Sequence, residues 1–291
     1  MKLALIVNPF SGGGRAARAL DAVGAALAHR GLEHHVERTR SLEHARELAL
    51  AAASAGEVAV GFGGDGLVGA VAGALAGPGG GLLGILPGGR GNDFARALGI
   101  PLEPVAACEV LASGTERALD LGEAGGRTFV GIASCGFDSD ANRIANETKV
   151  VRGSLVYAYG ALRALLGWQP ATFTLAIDGA PPRTVTGYTI AVANSKAYGG
   201  GMLMAPDASL SDGLLELVIV GEMTKSRFLR GLPKVFKGAH VNQPEVEVVR
   251  CREVAISAER PIMMYADGDP IAELPVTLRA LPGAVRAIVP K

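Results

Sequence analysis

Through the first third of the chain, short unbroken apolar runs alternate with stretches whose apolar residues recur at helical spacing. Leu3-Ala4-Leu5-Ile6-Val7 is a run of strand length, stopped by Asn8-Pro9. A glycine-rich loop over residues 8–15 follows, and residues 16–29 then carry a helical apolar pattern up to Gly31. The same unit repeats: a strand at 36–39, a helix at 42–53, a strand at 58–62 ending in Gly63-Gly64-Asp65-Gly66, and a helix at 67–75. A strand at 82–86 then runs into Pro87-Gly88-Gly89-Arg90-Gly91-Asn92-Asp93 and a helix start at 94–98. Continuous apolar strands alternating with helices predict a doubly wound parallel sheet, whose ligand side is the crevice at the carboxyl ends of the strands. All three glycine-rich loops fall on that side.

From about residue 120 the period changes. Residues 172–177 alternate, Asp178-Gly179 marks a turn, and strands are expected at 188–193, 214–220, 246–249, 253–257 and 262–266, with one helix at 155–166. The predicted fold class is therefore α/β: an N-terminal doubly wound parallel α/β domain, a C-terminal mostly antiparallel β domain, and an active site in the interdomain cleft. The domain limits read as 1–122 and 123–284.

Composition narrows the field. At 291 residues the chain suits two domains of roughly 100–200 residues each. With 49% hydrophobic and 19% charged residues it can build real cores, which excludes global disorder. The 28 basic and 28 acidic residues cancel, which argues against whole-molecule attraction to nucleic acid. Cys108, Cys135 and Cys251 are odd in number and far apart, suiting neither a disulfide framework nor a zinc site. The first apolar run is too short for a secretory signal, and no stretch reaches the 18 or so apolar residues of a membrane span. A reduced, cytoplasmic, soluble protein is expected.

The chemistry sits in the loops. Gly61-Phe62-Gly63-Gly64-Asp65-Gly66 matches G-x-G-x-x-G after a strand and before a helix, but residues 80–90 lack the carboxylate that a dinucleotide ribose needs. No G-x-x-x-x-G-K-[ST] occurs, so the chain is not a P-loop enzyme. The loops at 11–14, 63–66 and 88–91 each offer backbone N–H groups at a helix start, the makings of an anion nest. Any one of them alone is equally an ordinary βα turn. Asp65 and Asp93 add carboxylates where phosphates would gather, which makes sense with a divalent cation or with proton transfer, and so points to phosphoryl transfer. Residues 223–240 stand apart: Lys225, Arg227, Arg230, Lys234 and Lys237 occur there with no acid, and Phe228, Leu229, Leu232, Val235 and Phe236 are expected on one helical face. Such a segment is either an interfacial helix facing anionic lipid or a stripe packed on the β domain under solvated cations, with Pro233 bending or splitting it.

Taken together, Asn8-Pro9 with Ser11-Gly12, Gly63-Gly64-Asp65-Gly66 and Gly91-Asn92-Asp93-Phe94-Ala95-Arg96 resemble the diacylglycerol kinase catalytic-domain family. The likeness continues through Asp120-Leu121-Gly122, Gly136-Phe137-Asp138, the stretch 199–213 ending in Ser209-Leu210-Ser211-Asp212-Gly213, and Asp267-Gly268-Asp269. It spans nearly the whole chain, more closely like the bacterial soluble lipid kinases than the sphingosine kinases. The resemblance implies ATP and Mg2+ in the cleft, transfer of the γ-phosphate to a lipid hydroxyl (diacylglycerol to phosphatidic acid first), and a C-terminal tail, 285–291, that returns to the first domain.

By position, it implies nucleotide contacts from Asn8, Ser11, Gly12, Gly13, Gly14, Thr39, Gly63, Gly64, Asp65, Gly66, Leu67, Arg90 and Asn92. Asp269 is the implied general base with Asp267 as the alternate, Asp65 a catalytic organiser, and Asp93 and Asp120 further cleft acids. A structural Mg2+ maps onto Asp212 with main-chain oxygens of Ser209 and Leu214, where a plain Asp-Gly turn is the other reading. Two positions depart from the family: Arg90 stands where Thr is usual, and Asp269 where Glu is usual. The implied location is cytoplasmic, peripheral at the inner membrane surface where the lipid substrate lies, with no nucleic-acid partner and a homodimer left open. Alternatives are a kinase of a sphingoid or other lipid alcohol, a NAD kinase-like enzyme, and a non-catalytic nucleotide-binding regulator.

Overall fold

The computed structural model describes residues 1–137, 139 and 168–291. The N-terminal half runs through strand β1 (Lys2–Val7), helix α1 (Ser11–His29), β2 (Glu33–Arg38), α2 (Leu42–Ser54), β3 (Val58–Gly63), α3 (Asp65–Ala74), β4 (Leu82–Pro87), α4 (Asp93–Ala97) and α5 (Pro104–Ser113). Strands β2, β1, β3 and β4 lie side by side in that order, all parallel. Helix α1 packs on α5 and α2 on α3. Leu3, Leu5 and Ile6 of β1 and Ala59, Val60 and Phe62 of β3 are fully buried, because a parallel sheet covered by helices has no solvent face.

Local chemistry sets several ends. Ser41 caps α2 by accepting the His44 N–H at 3.1 Å. Pro104 opens α5, and the Glu103 carboxylate accepts the Ala106 N–H at 2.7 Å. Strand β2 starts three residues before the expected 36–39: it is an edge strand, so its first half, Glu33-His34-His35, is polar and half exposed and gives no apolar signal.

The second half continues with β5 (Thr115–Ala124), β6 (Arg127–Phe129), β7 (Ile132–Gly136), β8 (Ala171–Ile177), β9 (Arg183–Ala193), β10 (Leu215–Gly221), α6 (Lys225–Val235), β11 (Val246–Cys251), β12 (Glu253–Ala258), β13 (Met263–Ala266), β14 (Asp269–Glu273) and β15 (Val276–Val289). The order β14-β13-β7-β9-β8-β12-β15 is antiparallel throughout, with β10 and β11 branching from β9. The helix expected at 155–166, and Asp138, lie outside the described residues. Among the described residues no helix is long and apolar enough to cross a membrane.

Strand β15 joins the halves. Val276 to Arg279 pair with β12, whereas Arg286 and Ala287 pair in parallel with Leu82 and Leu83 of β4. Strand β5 runs antiparallel beside both parts, across an irregularity between Leu281 and Val285. One apolar core fills the space around β1, β3 and β4, and a second is built from residues such as Phe173, Ile190, Leu217, Val254 and Leu278.

Candidate active site

The site begins where β1, β3 and β4 end. After β1, Gly12, Gly13 and Gly14 take φ of +59°, +68° and +86°, a left-handed turn at the start of α1. Any side chain there would add about 1–2 kcal/mol of strain per residue. The three glycine loops touch backbone to backbone. A Cβ on Gly12 would lie 2.5 Å from the Gly88 carbonyl oxygen, and one on Gly89 would lie 2.4 Å from Gly64 Cα. Glycine is the only residue that lets the loops close in this way.

Around this junction, Asn8 holds its own loop by accepting the Phe10 N–H at 3.0 Å, and Ser11 Oγ lies against Gly63. Thr39, buried at the end of β2, donates its N–H to Val7 O at 2.8 Å. Leu67 is buried behind Gly63, so it shapes the loop from beneath. Asn92 is buried and left-handed, and its side chain clamps Gly89 from both sides: Oδ1 accepts the N–H at 2.8 Å and Nδ2 donates to the carbonyl at 3.2 Å. Arg90 stands exposed at the loop tip.

Two further cations, inconspicuous in the sequence, flank the left-handed turn. Arg15 donates to Gly89 O at 3.3 Å and Arg18 to Gly13 O at 3.0 Å. They line a 560 Å3 cavity with Ala19, Leu102, Glu103 and Pro104. The signal for them was two arginines following a triple glycine.

Four carboxylates gather around the first turn of α3. Asp65 Oδ1 accepts the Phe94 N–H at 3.0 Å, tying α3 to α4. Asp93 Oδ2 accepts Gly200 N–H at 2.7 Å, while its buried Oδ1 has no hydrogen-bond partner. Gly91 separates these two acids, since a Cβ there would be 3.3 Å from Asp65 Oδ2 and 2.9 Å from Asp93 Oδ2. Burial raises the Asp93 pKa, with the Asp65 charge adding to it and the Gly200 N–H and Arg96 opposing.

The other pair comes from the turn between β13 and β14. Asp267, left-handed at φ +52°, accepts Val130 N–H and Gly131 N–H at 2.9 Å each. The residue is half-buried, and burial of its carboxyl group, with the charges of Asp65 and Asp269, pushes it up to about 7. Asp269 turns its Oδ2 onto Gly66, 3.2 Å from where a Cβ would stand. Partial enclosure raises its pKa against the pull of Arg127, which also donates to Pro270 O at 2.9 Å. Both oxygens of Asp267 are spoken for, whereas Asp269 faces the glycine loops.

Asp120 is not part of this group. Buried on β5, it accepts Gly283 N–H and Gly213 N–H at 2.7 Å each, pinning the irregular stretch of β15 and the turn before β10. Asn194, which sequence reasoning did not single out, donates to Asp120 O at 3.0 Å and to Val130 O at 2.9 Å. It thereby links the Asp120 strand to the loop that holds Asp267.

Asp212 lies beside Asp120 on a second cavity of 440 Å3, lined also by Gly213 and Gly283. Its Oδ1 accepts Leu214 N–H at 3.1 Å and its Oδ2 pairs with Arg250, while Ser209 Oγ accepts Ser211 N–H. The neighbouring Glu216 has its pKa raised by burial first and then by Asp207 and Asp212.

Oxygen donors of the kind a hard cation takes are present in both places, but at Asp212 both carboxylate oxygens are engaged, by Leu214 N–H and by Arg250. At the α3 cluster, Asp93 Oδ1 accepts no hydrogen bond and meets only Arg96 Nε at 3.7 Å, and burial raises the pKa of both Asp93 and Asp267. Among the described residues no three acidic, His or Cys groups form a complete metal cage.

Comparison with known proteins places this arrangement. The diacylglycerol kinase catalytic domain matches residues 2–124, and the YegS C-terminal NAD kinase beta sandwich-like domain matches residues 131–289. A diacylglycerol kinase of Mycobacterium tuberculosis is 37% identical over 100% of this chain and 96% of its own length. The chain belongs to the diacylglycerol kinase and YegS-like lipid kinase family. A diacylglycerol kinase structure from Bacillus anthracis shares the fold at TM-score 0.76 and 22% identity, covering 99% of this chain and 96% of that one. An Archaeoglobus fulgidus NAD kinase in complex with ATP aligns at TM-score 0.52 and 14% identity over 99% of this chain and 93% of its own.

Proposed function

We propose that this chain transfers the γ-phosphate of ATP to the hydroxyl of a lipid alcohol, diacylglycerol before any other, giving phosphatidic acid. One observation carries the reading: Asp269 Oδ2 lies 3.2 Å from where a Cβ on Gly66 would stand, at the first turn of α3 where the Gly63–Gly66 loop ends. A base beside N–H groups that can hold phosphate supplies the two parts that phosphoryl transfer to an alcohol needs.

In this reading the N–H groups of residues 11–14 and 63–66 hold the phosphates, with Arg15, Arg18 and Arg90 supplying positive charge. Asp65 and Asp93 would hold Mg2+ together with phosphate oxygens, and the ion would neutralise phosphate charge. Asp269 takes the proton of the attacking hydroxyl. Asp267 positions Asp269 by anchoring their shared turn to residues 130–131, so the base is assigned to Asp269. A second Mg2+ at Asp212, with main-chain oxygens of Ser209 and Leu214, would have to displace Arg250 from Oδ2.

The relatives' names support the substrate class, and the shared fold of an ATP-bound NAD kinase supports the nucleotide. The test is to incubate the purified protein with labelled ATP, Mg2+ and a total lipid extract, and to identify the labelled product. Label in phosphatidic acid is expected. Label only on NAD, or no label on any lipid, overturns the reading.

A further inference from the structure

Helix α6 and the residues just after it show two unlike faces. On the inner side Phe228 stacks on Tyr188 with ring centroids 4.4 Å apart, and meets Phe137 edge-on at 4.7 Å. Phe228, Gly231 and Val235 are buried, and Leu232 is half-buried. The apolar stripe expected from the sequence is thus divided, because Leu229 and Phe236 point away from this cluster and remain 41% and 57% exposed. Pro233 does not split the helix, which runs two residues beyond it.

The outer side carries Leu229, Arg230, Pro233, Lys234, Phe236 and Lys237, all exposed. Residues 223–240 contain no acid. Arg227 is neutralised by Glu245 at 2.9 Å. Among the described residues Arg230, Lys234 and Lys237 form no ion pair: Arg230 Nε donates to Ser226 O within the helix, and Lys234 reaches only the Gln243 amide oxygen at 3.5 Å. Two bulky apolar side chains among three uncompensated cations complement anionic headgroups lying over hydrocarbon.

This face is also tied to the site. Leu203 N–H donates to Val235 O at 3.0 Å, and the buried His240 ring meets Met204 O at 3.1 Å. Three residues before Leu203, Gly200 N–H donates to Asp93 at 2.7 Å. One short segment therefore connects the helix tip to an active-site carboxylate.

We propose that the outer face of α6, with Phe236 and Lys237 at its tip, docks on the surface of an anionic lipid bilayer and so brings the cleft to its substrate. The proposal rests on the lipid-kinase reading for its purpose, but vesicle binding measures it separately.

The test is co-sedimentation with vesicles of phosphatidylglycerol and phosphatidylcholine in equal parts, against phosphatidylcholine alone. Each cation near such a surface contributes about fivefold in partitioning, so R230Q/K234Q/K237Q should lose about a hundredfold in low salt. Wild-type binding should weaken as salt is added. L229S/F236S should lose about tenfold, a loss that persists at high salt because it is apolar. Both variants should keep the wild-type melting temperature and full turnover of a short-chain, water-soluble diacylglycerol. Unchanged vesicle binding in both variants, or wild-type binding indifferent to lipid charge, overturns the docking surface. A wild-type protein that binds anionic vesicles through these residues yet never phosphorylates the soluble lipid refutes the lipid-kinase reading instead.

Discussion

Gly89→Ala tests whether the contact between glycine loops is what shapes the site. The added Cβ would stand 2.4 Å from Gly64 Cα, 3.1 Å from Gly64 N and 2.9 Å from Asn92 Oδ1. Ordinary contact begins near 3.4 Å, so the loops after β3 and β4 would have to part by the difference, 3.4 − 2.4, or 1.0 Å. The obstacle is backbone, which cannot swing aside as a flexible side chain would. Overpacking of this kind costs about 1–3 kcal/mol of stability, and a displacement of about 1 Å at a reacting centre costs up to roughly a hundredfold in rate.

Gly64→Ala is the internal control. It enters the same contact from the other side, where its Cβ would meet Gly89 Cα at 3.3 Å and need only a few tenths of an ångström. The assay is kcat/KM for ATP at fixed lipid, with nucleotide affinity by calorimetry and a thermal melt on both variants. Gly89→Ala should lose between ten- and a hundredfold in kcat/KM, and Gly64→Ala less than threefold or so, with both proteins folded. Wild-type kcat/KM in Gly89→Ala, or equal losses in the two variants, would show that the loop contact does not set the geometry.

Asp65→Asn keeps an oxygen to accept the Phe94 N–H, so the fold should persist while kcat falls at least about a hundredfold; near-normal turnover would remove Asp65 from the chemistry. Asp269→Asn should lower kcat by roughly 10²–10⁴ with little change in ATP affinity, and Asp269→Glu should keep substantial activity. A mild Asp269→Asn beside a dead Asp267→Asn would exchange the two roles. Phe228→Ala removes the ring stacked between Tyr188 and Phe137 and should cost about 3–5 kcal/mol, read as a lowered melting temperature. Burial holds the His240 pKa below its ordinary 6.5, so on acidification the unfolded chain takes up a proton before the folded one. The His240 contribution to stability should therefore decline as pH falls through 6.5, while Asp267, raised to about 7, contributes in the opposite sense over the same range. The stability difference between wild type and His240→Gln, read in melts between about pH 5 and 7, isolates the histidine, and a difference that does not change with pH would clear His240 of it.

The βα half is legible in the sequence because its signals are local. Apolar runs such as Leu3-Ala4-Leu5-Ile6-Val7 can only be buried on both faces, and the glycines after them can only be turns. Those two facts place the loops at 11–14, 63–66 and 88–91 on one side of a parallel sheet, where the structure has them. Edge strand β2 began outside its apolar signal because an edge position does not demand one.

What sequence could not decide depends on partners far along the chain. The Asp267 carboxylate is set by N–H groups of residues 130 and 131, and Asp269 lies on α3 near residue 66. Asp120 read as one more acid among glycines, yet its oxygens serve Gly213 and Gly283 rather than the α3 cluster. The five apolar residues between 228 and 236 share a helical pattern, but only the position of Tyr188 and Phe137 determines which go inward. Hydrophobic period and glycine chemistry act over a few residues and are written into the chain directly. Which carboxylate meets which N–H group follows from the sheet that carries them together, and that sheet exists only once β15 has paired with strands of both halves.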